Sequence, residues 1–260
     1  MKHYTAYLFD VDGTLLDTTE LIYRSFVYTL HRFADKEITR ETAVRYMGLP
    51  LREQIETYLG PMSDERYGEI AGAHMEHQLR IYPDFLALFP GVVKMLALLR
   101  ERGARIAAVT SRRMHSLNLY LKEMEIDGFF HARITPESTK RHKPHPEPAL
   151  KALELLGAAA GETVFVGDSE FDMRCGAAAG VDTAFAAWGN EGLLPAGVSA
   201  TCVLESPLRL CAHTAAAAGV MHAADAAKGH TADRPRTASG ETSRANGLDG
   251  GVREPGKTTD

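Results

Sequence analysis

Short, nearly all-apolar runs recur along this chain, separated by stretches with helical periodicity. The runs are Ala6-Tyr7-Leu8-Phe9, Ile106-Ala107-Ala108-Val109, Ala132-Arg133-Ile134, Val164-Phe165-Val166 and Thr183-Ala184-Phe185-Ala186. Most are continuous rather than alternating, which fits strands covered on both faces. Between them, Pro90 to Arg102 carries an apolar face and halts at Gly103. Pro146 to Leu156 sets Leu150, Leu153 and Leu156 on one side and halts at Gly157. Leu117, Leu121 and Met124 repeat at helical spacing. A glycine just past the last periodic residue is a common helix stop. Strands alternating with helices predict an α/β fold with a Rossmann-like parallel sheet.

One region breaks the alternation. From about Asp17 to Phe85 no strand pattern is evident. Ile22, Phe26, Leu30 and Phe33 form one helical stripe, and further helices fit 39–47, 51–59 and 64–82. Four helices placed directly after the first strand exceed a simple crossover, so they predict an inserted cap domain. The expected division is a core of residues 1–16 and 86–212, a cap of 17–85 and a tail of 213–260. The tail lacks Phe, Trp and Tyr. It buries too little apolar surface to offset its ordering entropy, so disorder is expected there, with a helix possible over Ala-rich 215–227.

Composition narrows the function. The chain has 260 residues, 45% hydrophobic and 24% charged, with a formal net charge of −5. That describes a globular domain with a real core. No basic stretch suggests a nucleic-acid partner. No apolar run is long enough to span a bilayer. Cys175, Cys202 and Cys211 are too few and too scattered for a disulfide framework or a zinc site, which suits a reducing compartment. The first apolar stretch runs straight into Asp10 instead of forming a secretory leader. The expected location is the cytoplasm.

Polar signals stand just beyond the strands, where an open parallel sheet binds ligands. Asp10-Val11-Asp12-Gly13-Thr14 offers two carboxylates in a turn, one able to attack and one able to move protons. The same segment also reads as a plain strand-ending turn. Thr110 offers a hydroxyl for a phosphate oxygen or a helix cap, and Ser111 is a competing hydroxyl. Lys143, ahead of Pro144, offers a charge in a stiff loop or is a solvated lysine. Asp168 and Asp172 are either ligands or helix-start acids favoured by the macrodipole. Taken together, these signals converge on one site. Asp10, Asp168 and Asp172 packed together would repel one another without a cation, and hard oxygen ligands suit Mg²⁺.

With these motifs in this order, the chain resembles the haloacid dehalogenase superfamily. The resemblance rests on Asp-x-Asp-Gly-Thr at 10–14, Thr110, Lys-Pro-x-Pro at 143–146 and Gly-Asp-x-x-x-Asp at 167–172. It implies that Asp10 is a nucleophile forming an aspartyl-phosphate and that Asp12 is the general acid and then base. It implies that Thr110 and Lys143 hold the phosphoryl group. It also implies Mg²⁺ held by Asp10, the backbone carbonyl of Asp12, and Asp168, with Asp172 in support. An acid at position 12 argues against the dehalogenase branch.

Within the superfamily the chain is similar to phosphoglycolate phosphatases and to inorganic pyrophosphatases of this type. The expected substrate is a small phosphomonoester such as 2-phosphoglycolate, with pyrophosphate as the alternative and a phosphosugar mutase as a third reading. Arg52, in the cap loop after Gly48, is the candidate for a distal anionic group. Arg112, with Arg113, would suit a second phosphate. His74, His77, His131, His142 and His145 lack ligand spacing and are expected at the surface.

Overall fold

The structure, a computed structural model, describes residues 2–189, 194 and 196–211. Both the expected tail of 213–260 and the possible helix over 215–227 lie outside the described residues. Helices among the described residues include α1 (Thr19–Ala34), α2 (Arg40–Arg45), α3 (Leu51–Leu59), α4 (Asp64–Phe85), α5 (Val92–Glu101), α6 (Met114–Glu123), α7 (Glu147–Leu156) and α8 (Glu170–Ala178). The strands are β1 (Ala6–Phe9), β2 (Leu16–Asp17), β3 (Ala87–Leu88), β4 (Arg105–Val109), β5 (Ala132–Ile134), β6 (Thr163–Gly167), β7 (Asp182–Ala186) and β8 (Cys202–Leu204).

Six strands form one parallel sheet in the order β5-β4-β1-β6-β7-β8. The α/β expectation holds. Strand β1 is buried at every residue, as its unbroken apolar run requires. One core cluster includes Tyr7, Phe9, Met95, Leu99 and Leu121; a second, on the other face of the sheet, includes Leu8, Ala107, Leu153 and Phe165. The order reverses about β1, which pairs with β4 on one side and β6 on the other. The crevice at such a switch point lies beyond the carboxyl ends of these strands.

Helices α1 to α4 form the expected insertion and bury their own small core of Ile22, Phe26, Ile55, Ile70 and Ala71. They leave and rejoin the sheet domain beside an antiparallel pair, β2 and β3, with Leu16 facing Leu88 and Asp17 facing Ala87. Strands of two residues carry no detectable periodicity, which is why the sequence reading lacked them. Helix α4 passes Pro83 and ends at Phe85, beyond the expected stop at Tyr82. Ile81, Tyr82 and Phe85 pack on the main core, and that burial outweighs the one backbone bond Pro83 cannot donate. No helix among the described residues is long and apolar enough to cross a membrane.

Candidate active site

Strand β1 ends at Phe9, and its direction delivers Asp10 to the sheet's carboxyl edge. Asp10 N donates to Val166 O at 2.9 Å, continuing the pairing with β6 for one residue. The turn after it needs Gly13, whose φ is +79°. A Cβ there would run into the Asp168 carboxylate. Glycine thus serves both the turn and the close approach of two strand ends. Thr14 Oγ1 donates to Asp168 Oδ1 at 3.0 Å, and Trp188 Nε1 donates to Thr14 O at 2.9 Å.

Asp10, Asp168 and Asp172 are all buried, with potential ligand oxygens within 4.8 Å of one another. Lys143 Nζ lies among them, donating to Asp10 Oδ1 at 2.8 Å and Asp172 Oδ1 at 2.7 Å. The other oxygen of Asp172 accepts from Ser169 N and Oγ, closing a capping box at the start of α8. Helix-start acid and lysine partner are therefore one residue in two roles. Burial, then the charge of Asp172, pushes the Asp10 carboxyl up to about 7 despite Lys143. Burial, then Asp10 and Asp172, raises Asp168 as well. Burial works against the Lys143 charge, but the two acids outweigh it and raise its pKa. Three buried acids against one lysine leave a deficit of positive charge, and the donor set is all hard oxygen. The residues fit a divalent cation such as Mg²⁺.

The Asp12 side chain does not join this cluster. Arg112 grips it from the loop after β4, with Nε 2.9 Å from Oδ2 and Nη2 2.6 Å from Oδ1. Thr18 Oγ1 donates to Asp12 Oδ1 at 2.6 Å. Burial pushes Asp12 up, but the Arg112 charge and its hydrogen bonds prevail and hold the carboxyl below its ordinary value. Arg112 itself is buried, lies over the Tyr120 ring at 4.4 Å, and donates Nη1 to Gln78 Oε1 at 3.1 Å. The expectation of an arginine open to a second phosphate changes accordingly. Arg112 lines the cleft but is already engaged by Asp12.

Thr110 lines the same cleft and accepts from Arg112 N at 3.1 Å, which leaves its own proton for another acceptor. Ser111 also lines it, but its hydroxyl donates to Gly48 O in the cap at 2.7 Å.

Arg52 is the clear departure. Its guanidinium bonds Glu56 Oε1 at 2.9 Å and Asp64 Oδ1 at 2.5 Å and lies over the Tyr67 ring. It is absent from the residues lining the cleft between cap and core. Acids at i+4 and at the start of α4 take its charge, so the structure does not bring Arg52 together with the other predicted site residues. The cap lines the cleft instead with Leu49, Leu51, Gln54, His74 and Gln78. Among the histidines expected at the surface, His74 is buried, bonded through Nδ1 to Thr29 Oγ1 at 2.9 Å, and burial pushes its pKa down to about 3. His74 and Gln78 sit four residues apart on α4, both buried, where the sequence analysis expected His74 at the surface.

The sequence profile of the haloacid dehalogenase-like hydrolases matches residues 7–186, a span from β1 through β7. The chain belongs to that family. It is 35% identical to the pyrophosphatase PpaX of Anoxybacillus flavithermus over 185 residues, covering 71% of this chain and 84% of the relative. Solved structures share the fold. One is a Lactobacillus plantarum protein assigned as a phosphoglycolate phosphatase, with TM-score 0.72, 22% identity and coverage of 81% of this chain and 99% of the other. Another is CbbY of Rhodobacter sphaeroides in complex with phosphate, with TM-score 0.69, 24% identity and coverage of 80% and 96%. The chain is thus an enzyme of the phosphatase branch of these hydrolases, in keeping with the acid at position 12.

Proposed function

We propose that this enzyme hydrolyses a small phosphate compound with Mg²⁺ through an aspartyl-phosphate on Asp10. The observation that carries the reading is the buried set of Asp10, Asp168 and Asp172 around one lysine. Asp10 and Asp168, with the backbone carbonyl of Asp12, would hold the ion; Asp172, already bonded to Lys143 and Ser169, would support it. Bound there, the ion would neutralise the acids and the incoming phosphoryl oxygens. An Asp10 carboxylate oxygen attacks phosphorus, and the bond to the leaving oxygen breaks as Asp12 gives that oxygen its proton. Thr110 and Lys143 hold the phosphoryl oxygens, which is the positioning and charge neutralisation that phosphoryl transfer demands. Water then attacks the phospho-aspartate, Asp12 takes its proton, and Asp10 is released.

For the substrate, a phosphomonoester such as 2-phosphoglycolate remains the first candidate, although Arg52 does not supply a cap cation for its carboxylate. Pyrophosphate is the second, and one contact favours it. A carboxylate held by a guanidinium fork is a poor proton donor, and a phosphate leaving group needs no proton where an alkoxide does. The PpaX relatives bear pyrophosphatase names, which supports the same reading.

The deciding experiment is kcat/KM with Mg²⁺ for 2-phosphoglycolate, pyrophosphate and several sugar phosphates, measured side by side. A preference of about a hundredfold, or roughly 2.7 kcal/mol, would name the substrate. Equal, slow rates on all would defeat both candidates. Isomerised sugar phosphate in place of free phosphate would point to a mutase.

A further inference from the structure

Gln78 sits on α4, on the cap side of the cleft, and is 4% exposed. Its amide is held at both ends. Ser25 Oγ gives its own proton to Leu21 O at 2.7 Å, so it must accept from Gln78 Nε2, which lies 3.4 Å away. Oε1 in turn accepts from Arg112 Nη1 at 3.1 Å and from Tyr120 Oη at 3.4 Å. The reversed amide would set a donor against the Arg112 donor, so these neighbours fix the orientation.

A guanidinium is planar, so fixing one nitrogen's direction fixes the others. With Nη1 on Gln78 and the guanidinium carbon 4.4 Å from the centre of the Tyr120 ring, the Nε and Nη2 edge is turned onto Asp12. We propose that Gln78 is a positioning residue for Asp12, acting through Arg112. The core supplies the carboxylate, the arginine and the aromatic shelf, and the cap supplies the acceptor that sets the arginine's rotation. The proton-handling geometry of Asp12 is therefore complete only with α4 seated over the core. This inference rests on the reading of Asp12 as the group that moves protons.

A double-mutant cycle on the full chain tests it, with Mg²⁺ and p-nitrophenyl phosphate as the probe. Asp12→Asn alone should lower kcat by about 10²–10⁴-fold. Gln78→Leu alone should lower kcat by about tenfold or more while KM changes by less than about threefold. In the Asp12→Asn background, Gln78→Leu should cost no further activity, because its effect has no other route. A loss of equal size in both backgrounds would overturn the proposal, as would a Gln78→Leu enzyme that keeps its kcat. Unchanged turnover in Asp12→Asn would overturn the reading of Asp12, and this inference with it. Should Gln78→Leu not fold, Gln78→Met, which keeps the side chain's length but lacks the amide oxygen, carries the same cycle.

Discussion

Lys143 Nζ stands 2.8 Å from Asp10 Oδ1, a buried cation bonded to the carboxylate proposed to attack phosphate. The same nitrogen bonds Asp172 at 2.7 Å. Lysine therefore fixes one oxygen of Asp10 and limits the repulsion among the acids before any ion binds.

Replacing Lys143 with Met should damage both stability and turnover. The aliphatic stem is kept, but Asp10 and Asp172 lose their shared partner while still buried. Breaking a buried pair on one side costs about 3–5 kcal/mol. Urea unfolding should show that loss, and phosphate release should fall by at least about a hundredfold. A Lys143→Met enzyme as stable as the parent would mean that the acids are not charged in the folded state.

The metal-free protein should lose stability relative to Asp10→Asn as pH rises. The Asp10 carboxyl is pushed up to about 7 from its ordinary 3.8, mainly by burial. Below pH 4 both folded and unfolded chains carry the proton, and no penalty arises. Between 4 and 7 the unfolded chain releases it and the folded one does not, so folding weakens by about 1.4 kcal/mol per pH unit. Above 7 the penalty is full. Asparagine at 10 removes this dependence. Melting curves of both proteins from pH 4.5 to 8, in chelator, should diverge by an amount on the order of a few kcal/mol. Mg²⁺ at a hundred times its Kd should restore about 2.7 kcal/mol to the parent at pH 8. Parallel curves with no Mg²⁺ effect would remove the cation from the proposed site.

Much of this site was legible because the groups that form it end strands. Asp10, Thr110 and Asp168 follow unbroken apolar runs, and a parallel sheet brings such ends to one edge wherever the strands lie in sequence. Lys143 stood in a loop, and its Pro neighbours marked it. What escaped the sequence is the set of polar groups whose partners are distant. Gln78 and Arg112 are 34 positions apart, and nothing in helical periodicity pairs them. Arg52 stands outside the cleft for the opposite reason. It had a nearby acid, Glu56 at i+4, and that local pair outweighed the expected reach into the cleft.

Gly13→Ala should be costly out of proportion to one methyl group. The φ of +79° strains any L side chain, and the new Cβ would meet the Asp168 carboxylate. Strain of this kind costs about 1–3 kcal/mol. The displaced Asp168 should also weaken Mg²⁺, so the Mg²⁺ concentration for half-maximal activity should rise by about tenfold or more. Titrating Mg²⁺ against turnover reads this directly. An unchanged half-point would show that Asp168 does not hold the ion.

Arg52→Ala separates the two readings of the cap. A guanidinium that held a substrate's distal anion would, when removed, raise KM by about tenfold or more. The structure gives this guanidinium to Glu56, Asp64 and the Tyr67 ring, on a side chain 40% exposed. Such exposed pairs contribute little. Steady-state kinetics with 2-phosphoglycolate and with pyrophosphate should therefore return a KM within about twofold of the parent for both. A large KM increase confined to 2-phosphoglycolate would show Arg52 swinging into the cleft to meet its carboxylate, and would restore the cap cation that the cleft lining lacks.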